Sequence, residues 1–519
     1  MARKQKDKVG SARTPMPFEE PDVHLVASME ETAGTPMPNT PFRVALLGDF
    51  SGRANRGVCE PGEGIAKRRP REVDRDNLDE VMATLGVGVR LPMGKDAPAL
   101  VLRFQELDDF HPDRLFERVE LLEQLRETRR KLSDPDSSAA AEADFGRNEP
   151  MPSPGVADLV SGNLLDQVLE ETGSTPSGMR PTADSPEWDA FVGEIVRPHA
   201  VPRDDPRHAE VIAAVDEAAA GLVREILHHP HVQALESVWQ AVRFLVSRVE
   251  TGEQMKLCLI DVSRDELAAD LASAGDLRAT GMYRLLVEQT VETPGAEPWA
   301  VLAGNYTFGQ TRGDADLLGR LAKIAKRAGA PFLAAAHPHL LGCASLAEAP
   351  DPDDWNLRAE AGDRKAWQAL RALPETAYVG LALPRFLLRL PYGPDTDPAE
   401  RFDFEEMPGE PVHAHYLWGS PGIACACLLG QGFSESGWEM RPGKVQEIGG
   451  LPIHVYKSGG ESKATPCAEV VLTESAAEAI LDAGVMPLLS FKGRDTIRLA
   501  RFQSLADPPT PLAGRWGSG

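Results

Sequence analysis

Few residues in this chain have the types and spacing to carry chemistry, and each group can be set against the geometry its reaction requires. Gly57 to Lys67 is glycine-rich and ends in basic residues. A phosphate cradle needs Gly-x4-Gly-Lys-Ser/Thr so that backbone N–H groups and the lysine converge on the phosphates. Here Gly62 is followed by Glu63, which repels them. A nucleophile elbow needs Gly-x-Ser-x-Gly. Ser51 has one residue too many before it and Ser434 one too many after it, so both read as turns. Histidines cluster at His228, His229 and His231, at His337 and His339, and at His413 and His415, without a His-Glu-x-x-His zinc motif. His228 and His229 read as the end of a helix, where a cation complements the dipole. Asp108 and Asp109 precede Pro112 and read as helix caps before they read as an acid/base pair. Cys425 and Cys427 form one C-x-C inside an apolar run, which reads as buried thiols. These patterns point to no catalytic residues, no metal site and no cofactor.

The chain has 519 residues, is 42% hydrophobic and 26% charged, and carries a net charge of -24. An acidic surface repels phosphate backbones, which argues against nucleic acid as a partner. Six dispersed cysteines are too few for a disulfide-stapled secreted fold. Basic residues near the start have no apolar region behind them, and no run reaches the ~18 apolar residues that span a bilayer. The expectation is a cytoplasmic protein without a membrane association.

The elements that must position these residues divide the chain into segments. Residues 1–40 read as a disordered tail. Residues 41–132 read as a small α/β unit. Val44 to Leu47 is a buried strand, Ala99 to Phe104 a half-buried one, and Pro112 opens a helix striped by Leu115, Val119, Leu122 and Leu125. Residues 133–190 read as a linker carrying an amphipathic segment, 159–169, with Leu164, Leu165, Val168 and Leu169 on its apolar face. Residues 191–395 open with two long helices separated by Pro230. Strands at Met255–Ile260, Trp299–Ala303, Pro331–Ala336 and Tyr378–Leu383 then alternate with helices at about 263–273, 276–290 and 314–329, the pattern of a three-layer α/β arrangement. Residues 396–519 form a further region. The fold class is therefore mixed α/β, a small unit followed by a larger three-layer unit. The run Lys67 to Arg71 reads as a solvated loop or as a contact with an acidic neighbour.

The motifs that fail as catalytic signatures fit together differently. Gly48-Asp49-Phe50-Ser51-Gly52, the stretch from Arg69 to Asp79, and Phe104 to Asp113 with Asp109, Phe110 and Pro112 resemble the small sheath subunit of type VI secretion systems. Ile226 to Pro230 with Leu235-Glu236-Ser237-Val238-Trp239, then Leu381 to Arg389 with Pro384, Arg385 and Phe386, then Pro391-Tyr392-Gly393, then Tyr416-Leu417-Trp418-Gly419 resemble the large subunit. The resemblance spans about 40–132 and 160–505 and implies both subunits in one polypeptide.

It further implies a structural role for these residues, with no active site. In that family the subunits stack as a helical tube around an inner tube and contract to drive an effector-loaded needle, repacking interfaces between two states. The implied partners are copies of the chain or other sheath subunits, the inner-tube protein, the baseplate, and an AAA+ recycling unfoldase reading Leu164, Leu165, Val168 and Leu169. Three departures stand out. The two parts are fused, which fixes their stoichiometry. The large-subunit part stops earlier than in the family. Gln240 stands where the family often has Arg. The alternatives are a non-polymerising accessory with the same fold, and a cytoplasmic enzyme whose site is assembled from distant residues.

Overall fold

A computed structural model of the chain describes residues 36–37, 39–92, 99–133 and 207–516. Why strands form is clearest at β1 (Phe42–Gly48). Its apolar run is buried on both faces, with Val44 and Leu46 in one core and Ala45 and Leu47 in another. A strand that meets helices on both sides loses the polar alternation of a half-buried one.

The remaining strands are β2 (Arg71–Val73), β3 (Val87–Leu91), β4 (Leu100–Phe104), β5 (Met255–Asp261), β6 (Val301–Phe308), β7 (Phe332–Ala336), β8 (Val379–Leu383), β9 (Phe386–Leu387), β10 (Trp418–Gly419), β11 (Glu447–Ile448), β12 (Val455–Ser458), β13 (Glu461–Ala464), β14 (Met486–Ser490) and β15 (Ile497–Leu499). Eight of them join β1 in one nine-stranded sheet in the order β11-β15-β14-β8-β7-β6-β1-β5-β2. The six strands from β14 to β5 run parallel, and β2, β15 and β11 pair antiparallel at the edges. β1 lies between β5 and β6, in register Phe42↔Met255 through Gly48↔Asp261. The small segment thus contributes a central strand to the sheet of the large one.

The helices are α1 (Glu63–Ala66), α2 (Leu78–Leu85), α3 (Pro112–Arg118), α4 (Glu123–Ser133), α5 (Arg207–His228), α6 (Pro230–Arg248), α7 (Arg264–Ala272), α8 (Arg312–Ala328), α9 (Ala361–Arg371), α10 (Pro421–Ser436) and α11 (Glu474–Asp482). Residues of α2 to α6 and α10 fill the core on one face of the sheet, and those of α1, α7, α8, α9 and α11 fill the core on the other. The result is a three-layer mixed α/β fold.

Two expected helices are interrupted. The stripe Leu115, Val119, Leu122 and Leu125 is buried as its spacing implies, but Val119 is extended, with ψ 118°, and divides α3 from α4. The Arg126 guanidinium donates to the carbonyls of Phe116 and Val119 and so occupies acceptors that a continuous helix would use. The span 276–290 breaks into a short turn at Leu277–Ala279, one at Gly281–Tyr283 and a π-type turn at Arg284–Glu288. Thr280 and the buried Asp270 carboxylate cap the backbone at residues 281–283, which restarts the chain there.

Candidate functional site

The string Leu383 to Gly393 leaves the end of β8 and brings Arg389 against Glu236 in α6. Glu236 and Trp239 lie three apart on α6, hence on one face. Trp239 is fully buried, and its Nε1 donates to Phe50 O at 2.8 Å, tying α6 to the turn after β1. Glu236 is also fully buried and meets Arg389, with Arg389 Nη2 donating to Glu236 Oε2 at 3.1 Å. The same guanidinium donates through Nη1 to Glu406 Oε2 at 2.7 Å and lies 4.1 Å from the centre of the Tyr392 ring. Tyr392 N also donates to Glu406 Oε2, at 2.8 Å.

Low dielectric sharpens this network. Burial pushes the Glu236 carboxyl up, and Arg389 only partly opposes it. Burial acts the same way on Glu406, but Arg389, His228 and the Tyr392 N–H together hold it down at about 2. Arg389, between two carboxylates, stays charged throughout.

The motif residues of both segments converge around this pair. His111, not Asp108 or Asp109, caps α3: its Nδ1 accepts from Asp113 N at 3.2 Å, with Pro112 at the first helical position. Asp109 instead accepts from the N–H groups of Gln105 and Glu106 around the turn Leu107–Phe110, and it pairs with Arg118. His111 meets Tyr392 edge-on at 5.0 Å, and Phe116 stacks on Phe402 at 4.5 Å. The Asp113 carboxylate accepts from Glu400 N and Arg401 N, both at 2.9 Å. Phe110 is fully buried and stacks on Phe104. Phe386 in β9 packs on Phe244, and β9 pairs with β10 through Trp418↔Leu387. Trp418 donates to His413 O and accepts from Ser237 Oγ. Pro391 O accepts from Thr396 Oγ1, and Gly393 N donates to Asp397 O. Arg385 stands apart from the Arg389 network, paired with Glu469 at 2.8 Å through Nε.

A second seam joins the loop after β1 to α7. The Asp49 carboxylate accepts from the N–H groups of Arg53 and Ala54. Ser51 donates through N and Oγ to Asp261 at 3.0 and 2.7 Å. Fully buried Glu266 accepts from Arg53, Arg68 and Glu60 N, and Gly62 N donates to Asp270 at 2.7 Å. The glycine-rich loop therefore spends the N–H groups of Glu60 and Gly62 on the protein's own carboxylates and those of Gly57 and Val58 on backbone carbonyls. Its basic run divides: Arg68 turns inward to Glu266 and Asp261 O, while Lys67, Arg69 and Arg71 stay exposed.

The carboxylates in both seams are matched by guanidinium, hydroxyl or N–H donors, which is the chemistry of a joint. Among the described residues no group of three or more His, Cys, Asp or Glu side chains could hold a metal ion, and no helix is long and apolar enough to cross a membrane. A polar depression of 370 Å³ lies beside His111, Asp113, Asp397 and Arg401, where Asp113 is already engaged by backbone N–H groups. Sequence reasoning missed Glu406, Glu266 and Asp270. One signal was available for Glu406, since an arginine buried against Glu236 alone would leave guanidinium donors unmatched. Leu164, Leu165, Val168 and Leu169 lie outside the described residues.

The two segments thus share one mixed sheet and are locked together by buried ion pairs. Residues 209–506 match the family described as EvpB/VC_A0108, tail sheath N-terminal domain, so the chain belongs to that tail sheath family. Residues 19–148 match the family described as Type VI secretion system, VipA, VC_A0107 or Hcp2. The chain is also similar to the type VI secretion system sheath protein TssC1 of Pseudomonas aeruginosa strain PAO1, with 34% identity over 305 residues, 57% of this chain and 61% of that protein. It thus spans about three fifths of the length of the curated relative it matches.

Proposed function

We propose that the chain is a structural component of a type VI secretion contractile sheath, with small- and large-subunit parts fused, and that it is not an enzyme. The observation that carries this reading is the succession of two type VI family matches in one polypeptide, with β1 of the first inserted into the sheet of the second. Copies of the chain, or other sheath subunits, form a cytoplasmic tube around an inner-tube protein on a baseplate. Contraction delivers effectors by repacking those interfaces, with no cofactor. Asp49, Asp109, Phe110, Pro112, Glu236, Trp239, Pro384, Arg385, Phe386, Arg389, Pro391, Tyr392, Gly393 and Trp418 act as its structural framework. Leu164, Leu165, Val168 and Leu169 are the residues read by a recycling AAA+ unfoldase.

The test is to express the chain together with its genomic neighbours and inspect the product by negative-stain microscopy. Tubes of regular diameter are the expected result. Small particles alone, in preparations where the neighbours are present and folded, would overturn polymerisation and point to a non-polymerising accessory.

A further inference from the structure

The turn from His413 to Trp418 is anchored at its far end by buried Tyr416, Leu417 and Trp418 and by the pairing of β10 with β9, and at its near end by a pair of histidine rings and a few hydrogen bonds. The His415 ring lies flat on the His228 ring, with centroids 3.8 Å apart and planes 11° from parallel. His228, the last residue of α5, places Nε2 3.4 Å from Glu406 Oε1, so the stack sits at the rim of the network of Arg389, Glu236, Glu406 and Tyr392. Around it, Gln233 Nε2 donates to Ala414 O at 3.1 Å, and Trp418 Nε1 donates to His413 O at 3.0 Å. His229 and His231 stand at the head of α6, 5.4 Å apart. His413 faces Trp418 and lies 3.8 Å from Glu469, which Arg385 already engages.

We infer that the His228–His415 stack is a proton-operated latch on the 413–418 turn. A proton taken by His415 lies against the face of the His228 ring, while Glu406 is already engaged by Arg389 and Tyr392 N and the Arg389 guanidinium lies beyond. The charged ring is better solvated in water than inside the stack, and the rings separate. Burial and the neighbouring His228 push the His415 imidazole down and outweigh the opposing pull of Glu406, in keeping with a ring that resists the proton while stacked.

What the latch releases is also defined. Tyr416 OH lies 2.7 Å from His454 Nδ1 and 2.8 Å from Thr465 Oγ1, at the two ends of the β12–β13 hairpin. Ser458 and Lys463 of that hairpin reach Glu410. Burial pushes the His454 imidazole down, as it does that of His413, so both rings add to the pH response of this segment. The hairpin is a two-stranded sheet of its own, with β13 exposed throughout. Such a pair has little stability by itself and follows the surface it is tied to. Mild acid therefore frees residues 410–418 and 454–465 together, while the central sheet stays closed.

Hydrogen exchange of the full chain at pH 7.5 and 5.5, corrected for intrinsic rates, tests this. In the wild type the opening constant of 410–418 and 454–465 is expected to rise about tenfold per pH unit below the usual histidine value of ~6.5. Amides of β1, β5 and β6 should be unchanged. His415→Phe keeps a ring on His228 but takes no proton, and its opening is expected to vary less steeply with pH than in the wild type, with His413 and His454 supplying the remainder. Where His415→Phe fails to fold by circular dichroism, His415→Gln serves in its place. Equal protection at both pH values, loss of protection in the central strands as well, or an undiminished pH dependence in the folded variant would each overturn the latch.

Discussion

Arg389 is buried between Glu236 and Glu406, so removing it leaves two carboxylates inside the protein with no countercharge. Arg389→Met is expected to lower stability by about 3–5 kcal/mol, the usual consequence of breaking a buried pair from one side. Arg389→Lys should recover little of it, because an ammonium cannot bridge two carboxylates as a planar fork does. Denaturant midpoints at constant m value check both. Glu406 adds a pH signature. Its folded value of about 2 lies below the ~4.3 of an unfolded glutamate, so its contribution is complete above pH ~4.3 and disappears as pH falls through about 2. Glu236 shifts the opposite way, so Glu406→Gln separates the contribution of Glu406 from it. That variant should be less stable than the wild type at neutral pH and lose less further stability on acidification below pH ~4.3, as read by equilibrium denaturation across that range.

At the scale of elements, the turn after β1 depends on a close approach that only glycine permits. Gly52 has φ +77°, and a Cβ there would lie 2.2 Å from Gly88 O at the start of β3. Gly52→Ala is expected to cost about 2 kcal/mol or more, since backbone strain and a backbone clash add. A thermal melt reads the loss. The β12–β13 hairpin is the opposite case. Thr465 N already donates to His454 O at 2.8 Å, which closes the base of the hairpin. Replacing 455–464 with a two-residue turn should change global stability by less than about 1 kcal/mol. A larger loss would mean that the hairpin supports the core.

For the molecule as a whole, the placing of β1 is decisive. It fills the gap between β5 and β6, and the core on one face of the sheet draws on residues from Phe42 to Trp516. Without it, β5 and β6 would each expose an unpaired, apolar edge, which promotes aggregation. Residues 36–133 and 207–516 expressed separately are therefore expected to be insoluble, whereas the two co-expressed as separate chains should co-purify as a soluble pair. A soluble, monomeric 207–516 fragment with a cooperative melt would contradict this dependence.

Much of the architecture was legible in the sequence because it follows from local periodicity. The run Val44–Leu47, the stripe Leu115–Leu125, the Pro230 break between long helices and the alternation of strands and helices from Met255 onward each reflect burial at a fixed repeat. The family could be recognised because its motif residues, from Gly48 to Gly52 and from Pro384 to Gly393, stand in order along the chain. What the order of residues cannot carry is pairing across hundreds of positions. That β1 would insert beside β5, that Arg389 would find Glu406 as well as Glu236, that His111 would cap α3 in place of the aspartates, and that His415 would lie on His228 were all decided by tertiary packing. In each case the partner is chosen by which surfaces the three layers bring together, and local spacing holds no record of that choice.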